Sequence, residues 1–520
     1  MLDAMSVLAV RSLAIAVALA AGAALFVETR HYGLLGFDTL PLIASSRVES
    51  LADVLGLFRE RLMDGRYPSA FHRPLVSASF ALDEAVWGLD PFGYQLTGAL
   101  WFTALLLGLV SLGGLLGKQT GPGPPPDRGG RRWLAVALPA LVALHPAAYE
   151  VVPIPARRAD LMCAVFATAA VVFALRRRAW VAGVAALLAI LSKESGYAVP
   201  PLVAATALLL EGQDGLEGSP RSSLTGLAAR LRAALELAAP AFGLAAFALA
   251  GRLLVLGGMG GHRDEFGVIG ALASAPGIAV DVLSGIVLFG SAAVPLAVYA
   301  LGAALLLAVV GLAGTLGVAS SEDRCVGLRP IGLGILWSLG FAATYAAAGW
   351  VGAWYFLLPE IGAAIALLGL LAAAIEGVRC RAAPRAARGC CVLAAGLLAG
   401  VLVWQASFAP VLGNYGEWQR ATAVSDEFFR KLDQKVSASS AGQRIDAPPL
   451  PMWASPSEGV PGVQGAAILS DYSVQAWADL MYPQRSIRVL GVPEGVLPRL
   501  PLEPAPNELV IRIRRRRVGY

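Results

Sequence analysis

Charged side chains are scarce in this sequence. Asp, Glu, Lys and Arg together make up 15% of its 520 residues, whereas a soluble domain carries about 25%. Hydrophobic residues make up 57%, and the mean hydropathy is +0.65. These values exclude an ordinary soluble protein and predict an all-α polytopic membrane protein. The net charge of +5 does not indicate a nucleic-acid partner, because basic cytoplasmic loops account for it equally well.

Cysteine and histidine are also few, and they are scattered. The five cysteines include no CxxC pair, and the four histidines show no HExxH spacing. The sequence therefore predicts neither a disulfide framework nor a zinc site.

Long apolar runs are abundant, and they predict about eleven transmembrane helices of roughly 20 residues each. The alternative for the first run is a cleaved secretory signal. The runs cover residues 5–27, 96–116, 133–151, 161–175, 179–210 (counted twice, as a tight hairpin), 234–256, 291–312, 331–348, 353–375 and 391–408. A further segment of mixed polarity, 269–288, is predicted to lie at the membrane interface.

Basic clusters in the loops set the predicted orientation, because positive loops face the cytoplasm. Clusters at 118–132, 176–178 and 379–388 place the N-terminus in the cytoplasm of a bacterial inner membrane. The polar loop 28–95 and the C-terminus then lie outside. The hairpin at 179–210 carries Lys193 and Glu194 at its outer tip, and a single broken helix is the competing interpretation.

The composition changes after residue 411. Charge rises, and Pro, Gly and Ser become frequent. We therefore predict two units, a transmembrane domain at 1–411 that includes the loop 28–95, and a small extracytoplasmic α/β appendage at 412–520. Within the appendage we expect strands near 465–469, 486–489 and 508–513, and a helix near 474–481. In the first loop, 51–63 has helical spacing typical of an interfacial helix.

Asp38 is the candidate general base. It follows the first span by about eleven residues in the apolar context GFDTL, and a carboxylate near a membrane face tends to be functional unless it is wet or paired. It could take a proton from an acceptor hydroxyl at the bilayer surface. The alternative is a solvated loop aspartate.

Three cationic groups could bind an anion. Arg73 offers the rigid donor fork that suits a phosphate, although a pair with Asp83 or Glu84 explains it equally well. Arg158, with Asp160 two residues on, opens a span on its outer side, against the positive-inside bias. An anionic ligand or a carboxylate partner such as Glu150 explains that position. Lys193 and Glu194 are costly in an apolar hairpin, so they are expected to face a cavity and to pair, with a purely structural pair as the alternative.

Five segments in the same order resemble the integral-membrane GT-C glycosyltransferases. They read FDTLPLI, HRPLVSASFALDEAVWGLDPFGYQLTGALWF, HPAAYEVVPIPARRADLMCAVF, LAILSKESGYAVPPLV and WYFLLPEIG. The similarity covers roughly residues 1–415 and is greatest to bacterial relatives of the TPR-containing transmembrane O-mannosyltransferases. No TPR array follows here.

The resemblance implies transfer of a sugar from a polyprenyl-phosphate donor to a hydroxyl of a glycan or protein acceptor on the outer face, with inversion. Asp38 matches the family's base. The residues that match its substrate-binding positions are Arg73, Arg158, Asp160, Lys193, Glu194 and Tyr355. A divalent metal near Asp38 stays open because some relatives use one, although the sequence offers no ligand set.

Three positions depart from the family pattern. Thr39 stands where a second Asp is common, His72 replaces a Tyr, and Trp354 stands where an Arg is usual. These departures keep open a different donor and a non-catalytic scaffold that binds lipid-linked saccharides. A separate alternative is a transporter or flippase of lipid-linked sugars.

Overall fold

The computed structural model describes residues 6–67, 69–119, 131–210, 224–261, 277, 321–348, 353–379, 396, 416–451, 468–493 and 504–515. The fold is predominantly helical, with a small three-stranded sheet near the C-terminus. The helices are α1 (Val7–Thr29), α2 (Thr39–Ser45), α3 (Leu51–Gly56), α4 (Pro74–Trp87), α5 (Pro91–Gln119), α6 (Leu134–Leu144), α7 (Pro146–Val151), α8 (Arg158–Leu175), α9 (Ala179–Ser192), α10 (Val199–Leu210), α11 (Leu224–Leu256), α12 (Ser321–Ala348), α13 (Leu357–Arg379), α14 (Gly416–Ser437) and α15 (Asp471–Met481).

The chain is a multi-pass membrane protein. Within the described residues, five helical segments are long and apolar enough to cross a bilayer. They are Val7–Thr29, Pro91–Lys118, Pro155–Leu175, Ala228–Leu256 and Trp354–Ala373. Two shorter apolar helices, α6 and α9, accompany them. The spans predicted at 291–312 and 391–408, and the interfacial segment at 269–288, lie outside the described residues.

The single span predicted over 133–151 is wrong. The chain forms two helices there, α6 and α7, which meet at His145 in an extended conformation with ψ of 133°. Pro146 follows directly, and the ring of a proline disfavours helical backbone in the residue before it. The break exposes the α7 amides, and the His145 side chain accepts a hydrogen bond from the Ala147 amide.

Helices α9 and α10 form a hairpin whose tip is a single 3-10 turn, Glu194–Ala198. Gly183 of α9 lies against Pro240 of α11, and Glu194 contacts Arg252 near the end of α11, so α9 and α11 run in the same direction. Helix α10 also packs along α11, which ends four residues beyond Arg252, at Leu256. The chain must therefore reverse its direction at the tip, because α10 could not otherwise pack along α11.

Helices α12 and α13 approach closely through small residues. A Cβ on Gly334 would stand 2.4 Å from the Gly362 carbonyl oxygen, so neither position accepts a side chain; such close backbone contact is typical of membrane helix pairs. Trp337 donates to the Leu358 carbonyl at 2.8 Å, and Ser338 donates to the Pro359 carbonyl at 2.7 Å. This packing fixes the turn Ala353–Phe356 that precedes α13.

The helix predicted over 51–63 is shorter than expected. A capping box on Ser50 starts α3, and the helix ends at Gly56. Met63 and Asp64 have φ of 61° and 52°, a left-handed conformation that cannot continue a helix. The segment instead turns back, and the Leu62 amide donates to the Phe71 carbonyl.

The C-terminal region contains three of the four predicted α/β elements and two that were not predicted. Strands β1 (Arg444–Asp446), β2 (Ser486–Pro493) and β3 (Glu508–Arg515) form a parallel sheet in the order β1-β3-β2. The predictions near 474–481, 486–489 and 508–513 are confirmed as parts of α15, β2 and β3. Helix α14 and strand β1 were not anticipated. No strand includes residues 468 and 469, and the rest of the strand expected at 465–469 lies outside the described residues. The division of the chain at residue 411 stays a prediction.

The appendage packs directly on the first polar loop. Helix α15 lies against α2, the Ser473 hydroxyl donates to the Phe37 carbonyl at 2.6 Å, and the Gly36 amide donates to the Ile468 carbonyl at 3.1 Å. Gly36 has φ of 97°, a conformation that glycine adopts without steric cost. These contacts place the loop around Asp38 beneath the N-terminal end of α15.

Candidate functional site

A cavity of about 310 Å³ lies at the tip of the α9–α10 hairpin. Four separate parts of the chain enclose it: the residues before α4, the hairpin tip, the end of α11 with the following glycines, and the α12–α13 turn. Its charged and aromatic lining consists of Phe71, Arg73, Lys193, Glu194, Tyr197, Arg252, Tyr345 and Tyr355. We call it the hairpin cavity.

Glu194 holds two guanidinium groups in the hairpin cavity. Arg73 donates from Nη2 at 2.7 Å and from Nε at 3.1 Å to Glu194 Oε2, a two-point contact that fixes the orientation of both groups. Arg252 donates from Nη1 to Glu194 Oε1 at 3.1 Å and from Nε to the Met259 carbonyl. The buried Arg252 and the half-buried Arg73 therefore share one carboxylate.

Lys193 adds a third cation beside two aromatic rings. Its ammonium group forms a buried ion pair with Asp160 of α8. The Nζ atom also lies 4.1 Å from the centre of the Tyr355 ring and 5.8 Å from that of Tyr345, within the range of cation–π attraction. The two rings stack with their centroids 4.7 Å apart, so together they form one wall of the cavity.

Arg158 lies apart from the hairpin cavity. It is 1% exposed, and its Nη2 is 2.6 Å from Asp83 Oδ2. Its Nη1 donates to the Ser79 hydroxyl at 2.9 Å, while Thr97 donates to the other oxygen of Asp83. The pair joins α4 to the start of α8.

Arg157 lies beside Trp354, one of the residues that depart from the family pattern. Its guanidinium lies 3.9 Å from the centre of the Trp354 ring and forms a buried ion pair with Glu150 at 3.1 Å. The family pattern has an arginine where Trp354 stands. In this chain a guanidinium reaches the same turn from the start of α8.

Asp38 contacts the appendage. The Tyr472 hydroxyl donates to Asp38 Oδ1 at 2.9 Å. Burial, and next the charge of Asp38, raises the pKa of the Tyr472 phenol well above its usual range, so the phenol stays protonated and remains a donor. Asp38 also interacts electrostatically with Tyr355, which lines the hairpin cavity.

The hydrogen bonds of Thr39, which lies next to Asp38, explain why a threonine occupies this position. Its hydroxyl donates to the Leu35 carbonyl at 2.5 Å and accepts from the Ala156 amide at 3.3 Å. The side chain is fully buried. A threonine at this position therefore ties the loop that carries Asp38 to the turn Pro155–Arg157.

The sequence-predicted residues divide into three groups. Arg73, Lys193, Glu194 and Tyr355 line one cavity, Asp160 joins them through Lys193, and Asp38 approaches through Tyr355. Arg158 lies outside the group. Sequence reasoning missed Arg252, although a cation at the outer end of an apolar span was a usable signal. Tyr472 gave no signal, because 434 positions separate it from Asp38.

No group of three or more His, Cys, Asp or Glu that could hold a metal occurs in the part of the chain that is described. Asp38 has a phenol as its described hydrogen-bond partner, and a neutral phenol is not a typical ligand of a hard divalent cation.

A second, larger cavity of about 740 Å³ lies between the first loop and the appendage. We call it the loop–appendage cleft. Helices α2 and α3 and the segment before residue 67 form one side, and the end of α15 forms the other. Seven of its sixteen lining residues are charged: Arg47, Asp53, Glu60, Asp64, Arg66, Asp479 and Arg485.

Comparisons with known proteins give one structural similarity. No protein-family profile matches the chain, and no curated protein matches it. Among solved structures, the chain is similar to ArnT from Cupriavidus metallidurans bound to undecaprenyl phosphate, with 17% sequence identity and a TM-score of 0.38 over 81% of this chain and 72% of that one. At this TM-score the similarity carries no argument, so the function is inferred from this chain's own residues.

Proposed function

We propose that the chain is a membrane glycosyltransferase of the GT-C type, which transfers a sugar from a polyprenyl-phosphate donor to an acceptor hydroxyl on the extracytoplasmic face. The observation that carries the proposal is the composition of the hairpin cavity. Three cations, Arg73, Lys193 and Arg252, converge there on two carboxylates, Glu194 and Asp160. The excess positive charge in a buried site favours an anion.

The two arginines supply donors of the right kind for a phosphate. Their hydrogen bonds in the described part of the chain use Nε and Nη2 of Arg73 and Nε and Nη1 of Arg252. Among the described residues, nothing accepts a hydrogen bond from Nη1 of Arg73 or Nη2 of Arg252, and in this proposal both donate to the ligand. Because two guanidinium groups that share one carboxylate repel each other, a bound phosphate would relieve that repulsion while its lipid chain stays in the bilayer.

Asp38 serves as the base in this proposal. It takes the proton of the acceptor hydroxyl as that oxygen attacks the anomeric carbon of the sugar. The bond from the anomeric carbon to the phosphate oxygen breaks, and polyprenyl phosphate leaves with the electron pair. Its developing charge is stabilised by the cations of the hairpin cavity. A single displacement inverts the anomeric configuration, as the family resemblance implies.

The orientation belongs to the same proposal. With the N-terminus in the cytoplasm of a bacterial inner membrane, the first loop, the hairpin tip and the appendage share the outer side. The acceptor is a glycan or a protein, and no step is assigned to a metal.

The test uses membranes that contain the wild type or Asp38→Asn. Polyprenyl-phosphate sugars are supplied one at a time with the label in the sugar, and label in any product that is no longer linked to polyprenyl phosphate is measured. Asp90→Asn is the matched control, because Asp90 is an exposed carboxylate in the same loop and Asn preserves its capping role.

Loss of transfer in Asp38→Asn with activity retained in Asp90→Asn supports the proposal. Equal activity in Asp38→Asn and wild type removes Asp38 as the base. Uptake of the donor by proteoliposomes without any covalent product contradicts glycosyl transfer and favours a transporter.

A further inference from the structure

We propose that Tyr472 is a positioning residue for Asp38, so that the appendage completes the reaction site. This inference rests on the proposed role of Asp38. Its basis is the 2.9 Å hydrogen bond from the Tyr472 hydroxyl to Asp38 Oδ1. A loop carboxylate otherwise rotates through broad torsional minima, and one directed donor limits that rotation.

Hydrogen bonds fix the backbone next to Tyr472 and next to Asp38. Ser473, next to Tyr472, donates to the carbonyl of Phe37, next to Asp38. Ser470 and Ser473 form a capping box that fixes the first turn of α15. The hydroxyl of Tyr472 is therefore delivered by a helix end, and such elements hold geometry better than loops do.

The chemistry of the pair suits positioning. The phenol donates and does not titrate in the neutral range, because burial and the nearby carboxylate both keep it protonated. A donor to an ionised carboxylate stabilises the ionised form. Tyr472 therefore keeps Asp38 oriented and also ready to accept a proton.

The test is Tyr472→Phe, which removes one hydroxyl from a buried ring. We expect kcat to fall about tenfold, which is the effect of losing a hydrogen bond to a charged group. We also expect the acid limb of the pH–rate profile to move to higher pH, because the carboxylate loses a group that stabilises its charge. In the background of Asp38→Asn, Tyr472→Phe should cause no further loss.

Tyr67→Phe is the matched control. Tyr67 donates to Asp479 at 2.6 Å, so it forms the same kind of bond across the same loop–appendage interface without touching Asp38. The acid limb of the pH–rate profile of Tyr67→Phe should coincide with that of the wild type. An equal shift in both variants, or no shift in Tyr472→Phe while Asp38→Asn is inactive, overturns the positioning role. Full activity of Asp38→Asn instead overturns the proposed function itself.

We further infer that the loop–appendage cleft binds the acceptor and that this acceptor is a hydroxyl-rich saccharide. This inference also rests on the proposed function, but a different observation carries it. Helices α2 and α15 lie side by side, with Asp38 and Tyr472 near their first residues. Ala44 and Asp479, near their last residues, line the cleft. Helix α2 has seven residues, so it is about 10 Å long at 1.5 Å per residue. Asp38 lies at one end of this helix and the cleft at the other.

The lining of the cleft favours a polyhydroxyl ligand. Its charges have both signs, and four of the seven are held by these partners: Arg47 by Glu84, Asp53 by Ser50, Asp479 by Tyr67, and Arg485 by two backbone carbonyls. Groups fixed in this way present their remaining donors and acceptors without further loss of conformational freedom. Such a surface matches the many hydroxyls of a neutral saccharide better than it matches a single anion.

A steric block tests this assignment. Ala52 lines the cleft and is exposed, so Ala52→Trp fills space without disturbing a core. Leu55→Trp is its control, because Leu55 is 61% exposed on the same helix and is absent from the lining. We expect Ala52→Trp to lower transfer to endogenous membrane acceptors at least fivefold, with retention of labelled undecaprenyl phosphate by the purified protein unchanged.

Two outcomes overturn the inference. One is equal transfer by Ala52→Trp and Leu55→Trp. The other is a wild-type product that proteinase converts to small labelled glycopeptides, because the acceptor is then a protein. Absence of any product from the wild type overturns the proposed function rather than the cleft.

Discussion

Arg73 and Glu194 form a two-point ion pair in which Arg73 Nη2 lies 2.7 Å from Glu194 Oε2. The two residues are 121 positions apart, yet the pair joins the N-terminal end of α4 to the tip of the α9–α10 hairpin. Arg252 contacts the same carboxylate from α11. Three elements of the hairpin cavity are therefore held through one side chain.

Glu194→Gln should destabilise the protein without weakening donor binding. It leaves the buried Arg252 and the half-buried Arg73 without the carboxylate that they share, and because breaking a fully buried pair costs about 3–5 kcal/mol, the cost at this half-buried carboxylate should be smaller. We expect a lower thermal midpoint in detergent and retention of labelled polyprenyl phosphate at least equal to that of the wild type, because the cavity gains net positive charge. Glu236→Gln is the control, since Glu236 pairs with Arg232 at an exposed position. A normal midpoint for Glu194→Gln would contradict the structural part of this prediction.

The contribution of the Lys193–Asp160 ion pair to folding should be separable from its contribution to glycosyl transfer. Lys193→Met alone leaves Asp160 buried without its partner, so the amount of folded protein should fall severalfold. The double variant Lys193→Met/Asp160→Leu removes both charges, and folded protein should recover while glycosyl transfer stays absent. Size-exclusion yield and turnover per folded molecule measure the two effects. Recovery of turnover in the double variant would show that the pair serves folding alone.

Trp354→Arg should impair the protein, although it restores the residue that the family pattern carries. The new guanidinium would meet Arg157, which now lies 3.9 Å from the centre of the Trp354 ring. The substitution exchanges an attraction of about 0.5–2 kcal/mol for repulsion between like charges. Turnover should fall in Trp354→Arg and recover partly in Trp354→Arg/Arg157→Met. Activity of the single variant at or above wild type would contradict this.

Arg158→Met should reduce folding without changing donor affinity. Arg158 and Asp83 are both almost completely buried, and they contact each other rather than the hairpin cavity. Asp83 is left uncompensated in the variant, so the yield of folded protein should drop, and Arg158→Met/Asp83→Leu should restore part of it. The concentration of donor that gives half-maximal turnover should match the wild type. A raised value would place Arg158 at the donor.

The helical architecture was largely predictable because it follows from local sequence. Apolar length predicted α1, α5, α8, α11 and α13, since a bilayer accepts only segments whose backbone groups are satisfied internally. Alternation and charge predicted β2, β3 and α15. The break at His145 does not follow from apolar length, which continues through it; Pro146 was the local signal for it.

The sequence indicated individual candidate residues of the site, but it did not indicate which of them contact one another. The cost of charge in an apolar context singles out Asp38, Lys193 and Glu194 from the sequence alone. Their partners could not be assigned, because one carboxylate can pair with any cation that the fold brings near it. A pair with Asp83 or Glu84 was the alternative to phosphate binding for Arg73, and the structure pairs Arg73 with Glu194 instead.

The sequence by itself determined that the chain is a multi-pass helical membrane protein with costly charges at its helix ends, because burial and length are local properties. Tertiary structure alone decided that Arg252 joins Arg73 at Glu194, that Arg158 is held by Asp83, and that Tyr472 meets Asp38. Each of these pairs joins distant parts of the chain, and such contacts form only when helices pack and the appendage docks. Local pattern carries no information on which distant group will complete a pair.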